Sequence, residues 1–139
     1  MTAKSSTDTI LCFYRYKNCK TIFSKRVEEI VLNAVSEPVF NVEILADKLC
    51  MSKSTLLRSI KKLTGLTAIE YINLIKIYYS IELLEDKSLT IKEVAYSIGF
   101  SDPKYFTRRF KKMVGLTPKE YKNVRKDLAE LKWNGFIMN

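Results

Sequence analysis

Histidine is absent from this 139-residue chain, and cysteine (3), proline (3), glycine (4) and tryptophan (1) are all scarce. Without an imidazole, a serine or cysteine nucleophile would need a lysine or carboxylate base. No Ser-x-x-Lys and no glycine-rich phosphate cradle stands in a suitable context, so no catalytic residue is assigned. The odd set Cys12, Cys19 and Cys50 does not pair off into a secreted disulfide framework. Nor, with no histidine, does it supply the usual four ligands of zinc. Reduced thiols in a cytoplasmic compartment are the expectation, with no metal and no cofactor. No apolar run approaches the roughly 20 residues that span a bilayer, and no signal-like start is visible. The length suits one modest domain or two very small subdomains, without room for a separate ligand-binding domain.

What the chain has is positive charge. Lysine and arginine number 24 against 15 acidic residues, a net charge of +9, and most of the excess follows Lys53. Such a balance favours nucleic acid first and an anionic membrane second, and the lack of a membrane-sized apolar run tells against the second.

The most informative stretch runs from Ser88 to Tyr121. Thr90 and Glu93 form a capping box, so a short helix is expected from Ile91, with Val94, Ala95 and Ile98 on its apolar face. Gly99 stops it, and Asp102 followed by Pro103 starts a second helix with a cap and a pre-set φ. Two helices separated by about three residues make a helix-turn-helix. At the 3.6 period Phe106, Phe110 and Met113 point one way while Lys104, Arg108 and Lys112 point another. A cationic face opposite an aromatic one is either a solvated helix surface or a helix suited to a DNA major groove, where arginine donates two hydrogen bonds to guanine and lysines meet phosphates.

Repetition favours the second reading. Moved back by fifty positions, Arg58, Lys61, Lys62, Gly65, Leu66, Thr67, Glu70 and Tyr71 fall on Arg108, Lys111, Lys112, Gly115, Leu116, Thr117, Glu120 and Tyr121 with identical residues. Upstream the offset drops by one, matching Ala46 to Ala95, Leu49 to Ile98, Cys50 to Gly99, Met51 to Phe100 and Ser52 to Ser101. The shift lies in the turn before the second helix, where an added residue is most easily accommodated. The chain therefore contains two helix-turn-helix units in tandem. Gly65, Gly99 and Gly115 read as helix stops, and Cys50 reads as a small apolar filler.

The second unit contains Ile91-x-x-Val-Ala-x-x-x-Gly-Phe-Ser-x-x-x-Tyr-Phe-x-Arg-x-Phe-Lys-Lys-x-x-Gly-Leu-Thr-Pro-x-x-Tyr. With its shorter echo upstream, it resembles the DNA-binding region of the AraC/XylS family of bacterial transcription regulators, over roughly Phe23 to Lys122. The resemblance implies an all-α, homeodomain-like fold of two helix-turn-helix subdomains joined by a long linker helix. The wording from Gly99 to Phe106, and the earlier Phe40-Asn-Val-Glu-x-Leu-Ala, is also similar to output domains of some response regulators and hybrid sensor kinases of two-component systems.

On this reading residues 1–22 are a tail or linker with no assigned role, 23–66 the first subdomain, 67–86 the linker helix and 87–139 the second subdomain with a C-terminal helix and tail. A helix is expected from Ser24, with Val27, Ile30, Val31 and Ala34 on one face, ending before Pro38. Asn41 caps the next, and Ser52 opens the first candidate recognition helix, running through Leu63, with Leu56, Ile60 and Leu63 as core. Leu57 either touches a thymine methyl or widens the apolar face, and packing is favoured. Thr67 and Glu70 form a capping box for a helix to about Leu84 that is apolar almost all round and thus buried on several sides. Tyr78, Tyr79, Ser80 and Ile81 stand where the family usually has charged residues and a pair of alanines. Either the tyrosines pack, which is favoured, or part of that helix is exposed as a protein contact. Thr117, Pro118 and Glu120 start a final helix through about Lys126 or beyond, and Trp133 and Phe136 either dock on the core or do not.

The expected function is sequence-specific binding of double-stranded DNA by a transcription regulator, each second helix entering one of two successive major grooves about 34 Å apart. Arg58, Arg108, Ser54, Thr55, Lys104 and Tyr105 are the candidate base readers. Ser52, Lys61, Lys62, Ser101, Thr107, Arg109, Lys111 and Lys112 are the candidate phosphate contacts. RNA polymerase is an expected partner, and any oligomerisation or sensing domain lies outside this chain. Two rivals are weighed beside it: a protein-interaction module that binds DNA by charge alone, using Leu57, Tyr78 and Tyr79, and a DNA-repair enzyme with a reactive thiolate.

Overall fold

The computed structural model describes residues 21–35, 37 and 39–128, with side chains followed as far as 124. Seven helices and no strand occur among the described residues. The expectations for residues 1–20, Pro38, Trp133 and Phe136 lie outside them.

Helix α1, Ile22–Asn33, begins two residues before the expected Ser24, because Thr21 and Ser24 cap each other. The Ser24 amide donates to Thr21 Oγ1 at 3.1 Å and the Thr21 amide to Ser24 Oγ at 2.7 Å. Serine at this position supplies the reciprocal bond more often made by glutamate. Helices α2, Val42–Lys48, and α3, Lys53–Thr64, follow with Asn41 and Ser52 as their caps. Helix α4, Ala68–Leu84, opens on the Thr67–Glu70 capping box. Helix α5, Ile91–Ser97, opens on Thr90 and Glu93, and α6, Pro103–Val114, on Asp102. Helix α7 is Pro118–Leu128.

Helix α4 organises the rest. It packs on α1 and α3 on one side of the chain order and on α5 and α6 on the other, while α2 bridges α1 and α3 and α7 rests on α6. The reason is its composition. Tyr71, Ile72, Leu74, Ile75, Ile77, Ile81 and Leu84 are all buried, and they leave no polar stripe wide enough to face water. Each large aliphatic side chain so buried contributes about 1.5–3 kcal/mol. A single continuous core runs from Val27 to Tyr121. Tyr78 and Tyr79 pack against it, edge to face with ring centres 5.0 Å apart. Tyr79 also donates from its hydroxyl to Glu28 on α1. Ser80 is buried and satisfies its hydroxyl on the Ile77 carbonyl at 2.7 Å. The unusual Tyr-Tyr-Ser-Ile run is thus part of the packing.

The two repeats diverge where they meet. Cys50 and Gly99 both adopt the left-handed conformation, φ +57° and +93°. Cys50 is exposed rather than a filler, and its backbone carries the strain of a side chain in that region. Gly99 faces Val35, just beyond α1, so closely that an added Cβ would lie 3.2 Å from Val35 Cγ1 and 3.3 Å from its Cα. Here the turn of the second unit touches the first. Gly65 shares the positive φ but has nothing within 4 Å of such a Cβ. Gly65→Ala is expected to lose about 1–2 kcal/mol for conformation alone, and Gly99→Ala more, because Val35 must also give by a few tenths of an ångström. Urea denaturation of the two variants measures the difference, and equal losses would mean that Val35 yields freely.

Candidate nucleic-acid interface

Helices α3 and α6 are the second helices of their units, each twelve residues long and each without an acidic residue. The sequence alone accounts for how they sit. In α3, Leu56 and Ile60 are fully buried; in α6, Phe106 and Phe110 are fully buried and Met113 nearly so. Phe106 and Phe110 pack at 5.7 Å, and Phe110 meets Tyr121 of α7 edge to face at the same distance. That stripe anchors α6 and turns its opposite face outward.

Arg58, Ser54, Lys61 and Lys62 on α3 are exposed, as are Lys104, Tyr105, Arg108, Lys111 and Lys112 on α6. Ser52 and Ser101, at the turns, are exposed as well, and Thr55 and Thr107 are half-buried. At the start of α3 the Ser52 hydroxyl accepts from the Thr55 amide at 3.1 Å and donates to Thr55 Oγ1 at 2.9 Å. Arg58 reaches back to the same oxygen at 3.5 Å, a weak contact. Lys53 is tied to Glu43 of α2 at 2.9 Å, which holds the Glu43 carboxyl below its ordinary range chiefly through that hydrogen bond. Lys61 donates to the Gly65 carbonyl at 3.1 Å, so its ammonium caps the end of α3.

Two expectations for α3 need correction. Leu63, expected in the core, is 38 % exposed, and Leu57, for which packing was favoured, is 39 % exposed. Both lie at the edges of the Leu56–Ile60 stripe, where the described residues leave them more than a third exposed. In α6, Arg109 stands apart from the other proposed phosphate contacts, being half-buried with its Nε enclosed.

The α6 face carries supports that the sequence reading did not find. Tyr105 accepts a hydrogen bond at its hydroxyl from Asn73 Nδ2 of α4, at 3.0 Å. Its ring lies 5.9 Å from Phe100 on one side, and the Arg108 guanidinium lies 5.8 Å from its centre. One turn along α4, Lys76 donates to the Gly99 carbonyl at 3.3 Å and sits 5.3 Å from the centre of the Phe100 ring. Burial lowers the pKa of the Lys76 ammonium. The available signal was a polar pair, Asn73 and Lys76, within an otherwise apolar run.

Two capped helix-turn-helix units on one shared helix, each presenting an acid-free cationic helix, define a tandem helix-turn-helix DNA-binding domain. A helix-turn-helix domain family model matches residues 45–123, more than half of the chain. The chain belongs to the AraC-type helix-turn-helix family of sequence-specific, DNA-binding transcription regulators. It is 33% identical over 99 residues to histidine kinase P4 of Formosa agariphila, covering 71% of this chain and 7% of that protein. It is 32% identical over 83 residues to the transcriptional activator RhaS of Escherichia fergusonii, covering 60% of this chain and 30% of RhaS. The chain therefore spans less than a third of either relative. Among solved structures, the C-terminal domain of the response regulator AraT from Geobacillus stearothermophilus matches with a TM-score of 0.65 and 28% identity, over 76% of this chain and 87% of that one. The DNA-binding domain of AdpA, in complex with a target DNA, matches with a TM-score of 0.62 and 27% identity, over 73% and 93%. No helix among the described residues is long and apolar enough to cross a membrane.

The facing of α3 has a direct test in stability. Leu56→Ala is expected to lose about 2–5 kcal/mol, and Leu57→Ala no more than about 1 kcal/mol, since its side chain already meets water. Chemical denaturation giving similar losses for both would mean that α3 is rotated from the orientation described.

Proposed function

We propose that this chain reads one asymmetric duplex DNA site through α3 and α6 in successive major grooves, as the output domain of a larger regulator. The observation that carries the reading is the repeated placement of Arg58 and Arg108. Both are exposed, both sit at the same register of an acid-free helix, and both lie opposite a fully buried stripe. Arginine there is suited to bidentate contact with guanine, with Ser54, Thr55 and Lys104 reading or buttressing beside it. Lys61, Lys62, Lys111, Lys112, Ser52, Ser101 and Thr107 are suited to the flanking phosphates. Arg109 contributes charge with less freedom, and Leu57, being exposed, offers an apolar edge to a thymine methyl.

In this arrangement residues 23–66 and 87–139 act as two reading heads and 67–86 as their spacer. The similarity to a response-regulator C-terminal domain and to a short part of a histidine kinase supports a role in two-component signalling, with sensing carried outside this chain. The similarity to the transcriptional activator RhaS supports a role in activation; RNA polymerase as the partner, a cytoplasmic setting and a non-catalytic role belong to the same proposal.

Selection of bound sequences from a random duplex pool is the primary test. It is expected to return a site of roughly 20 base pairs without two-fold symmetry, because the two heads differ. Enrichment of no sequence would favour a protein-interaction module that meets DNA through charge alone. On the selected site Arg108→Ala should lose about 1–3 kcal/mol and relax the preference at one base pair; equal losses on random DNA would assign Arg108 to the backbone. Lys111→Ala should weaken all sequences alike and lower the slope of log affinity against log salt by about one. An unchanged slope would remove Lys111 from the phosphate contacts.

A further inference from the structure

Asn73 is a buried side chain, 6 % exposed, in the middle of the linker helix. A buried amide is retained at a cost unless it is hydrogen-bonded. Its amide group donates to Tyr105, 32 positions away on the helix that carries Arg108. Tyr105 is thereby held at both ends: its backbone belongs to α6, and its hydroxyl is fastened to α4. Phe100 backs its ring at 5.9 Å, and Lys76 secures Phe100 and the Gly99 carbonyl from the next turn of α4. The Arg108 guanidinium lies 5.8 Å from the centre of this fixed ring.

Resting on the DNA-reading assignment above, we infer that Asn73 and Tyr105 are positioning residues for Arg108, forming a relay by which the linker helix sets the base specificity of the second reading head. A free arginine side chain has much rotamer entropy to lose, and a fixed aromatic face restricts it before DNA arrives. The first head has no such device among the described residues. Its equivalent of Tyr105 is Thr55, whose contact with Arg58 is a weak one at 3.5 Å. Preorganisation of this kind sharpens discrimination rather than general affinity, since phosphate contacts are untouched. The Tyr105 hydroxyl, accepting from Asn73, serves the relay and not primarily a base edge.

The test compares wild type, Tyr105→Phe, Asn73→Leu and the double variant on the selected duplex and on duplexes altered at single pairs. Arg108→Ala first marks the pair that Arg108 reads. Tyr105→Phe and Asn73→Leu are each expected to lower discrimination at that pair by roughly five- to tenfold, within the range of a base contact. Discrimination at the pair marked by Arg58→Ala should stay unchanged. The double variant should be no worse than either single one, as expected for residues acting as a unit. Asn73→Ser, which cannot reach Tyr105, replaces Asn73→Leu should the latter fail to give a cooperative thermal unfolding transition. A folded Asn73 variant with full discrimination at the Arg108 pair overturns the relay, and if Tyr105→Phe alone loses it, the hydroxyl acts on DNA directly. Equal losses at both pairs also overturn it, since they would reflect loosening of the whole fold. A wild-type protein that discriminates at no pair brings down the DNA-reading assignment itself.

Discussion

The described residues are arranged around the burial of one helix that has almost no side for water. Helix α4 is seventeen residues long, and Tyr71, Ile72, Leu74, Ile75, Ile77, Ile81 and Leu84 are buried where it packs on helices of both units. Neither unit on its own has a large core. By sharing α4 they bury one continuous cluster, and the shared helix becomes the rigid reference from which both reading helices are mounted. Polar residues survive inside it only where a partner is in place, as with Ser80 on the Ile77 carbonyl and Asn73 on Tyr105. Tyr71, fully enclosed, shows the same environment electrostatically: burial, chiefly, with the nearby Glu28 carboxylate, pushes its hydroxyl up to about 12.

The repeat is a repeat of chain geometry more than of surface. Capping boxes, left-handed stops and buried stripes recur in register, because each satisfies a demand of the backbone that is the same in both units. Away from those points the units have separate surroundings. The turn at Gly99 is pressed against Val35, so that an added side chain would meet a tight contact as well as a positive φ, whereas the matching turn faces solvent and accepts Cys50 despite its φ of +57°. The reading faces differ likewise, with Ser54, Thr55 and Leu57 on α3 against Lys104, Tyr105 and Thr107 on α6.

Much of the fold was legible before any coordinates, and the reason is local. A threonine three residues before a glutamate, a proline after an aspartate and a glycine after two lysines mark helix ends through hydrogen bonds that span only a few residues, and all of those marks stand in the structure. Where the reading failed, the deciding contact was distant in sequence or missing. Leu57 and Leu63 are apolar by composition, but whether a stripe edge is covered depends on where the next helix passes, and the described residues leave both more than a third exposed. Arg109 keeps its place in the cationic run of α6 and is half-buried, with its Nε enclosed.

By itself the sequence determined the helices, most of their caps, the duplication and the outward direction of Arg58 and Arg108, since periodicity and capping are properties of short segments. The tertiary structure alone decided how the two heads are joined: Val35 against Gly99, Lys76 against the Gly99 carbonyl, and Asn73 against Tyr105 beside Arg108. Those contacts link residues from 23 to 64 positions apart. No local pattern encodes them, because they exist only once the packing of α4 has brought the two units together.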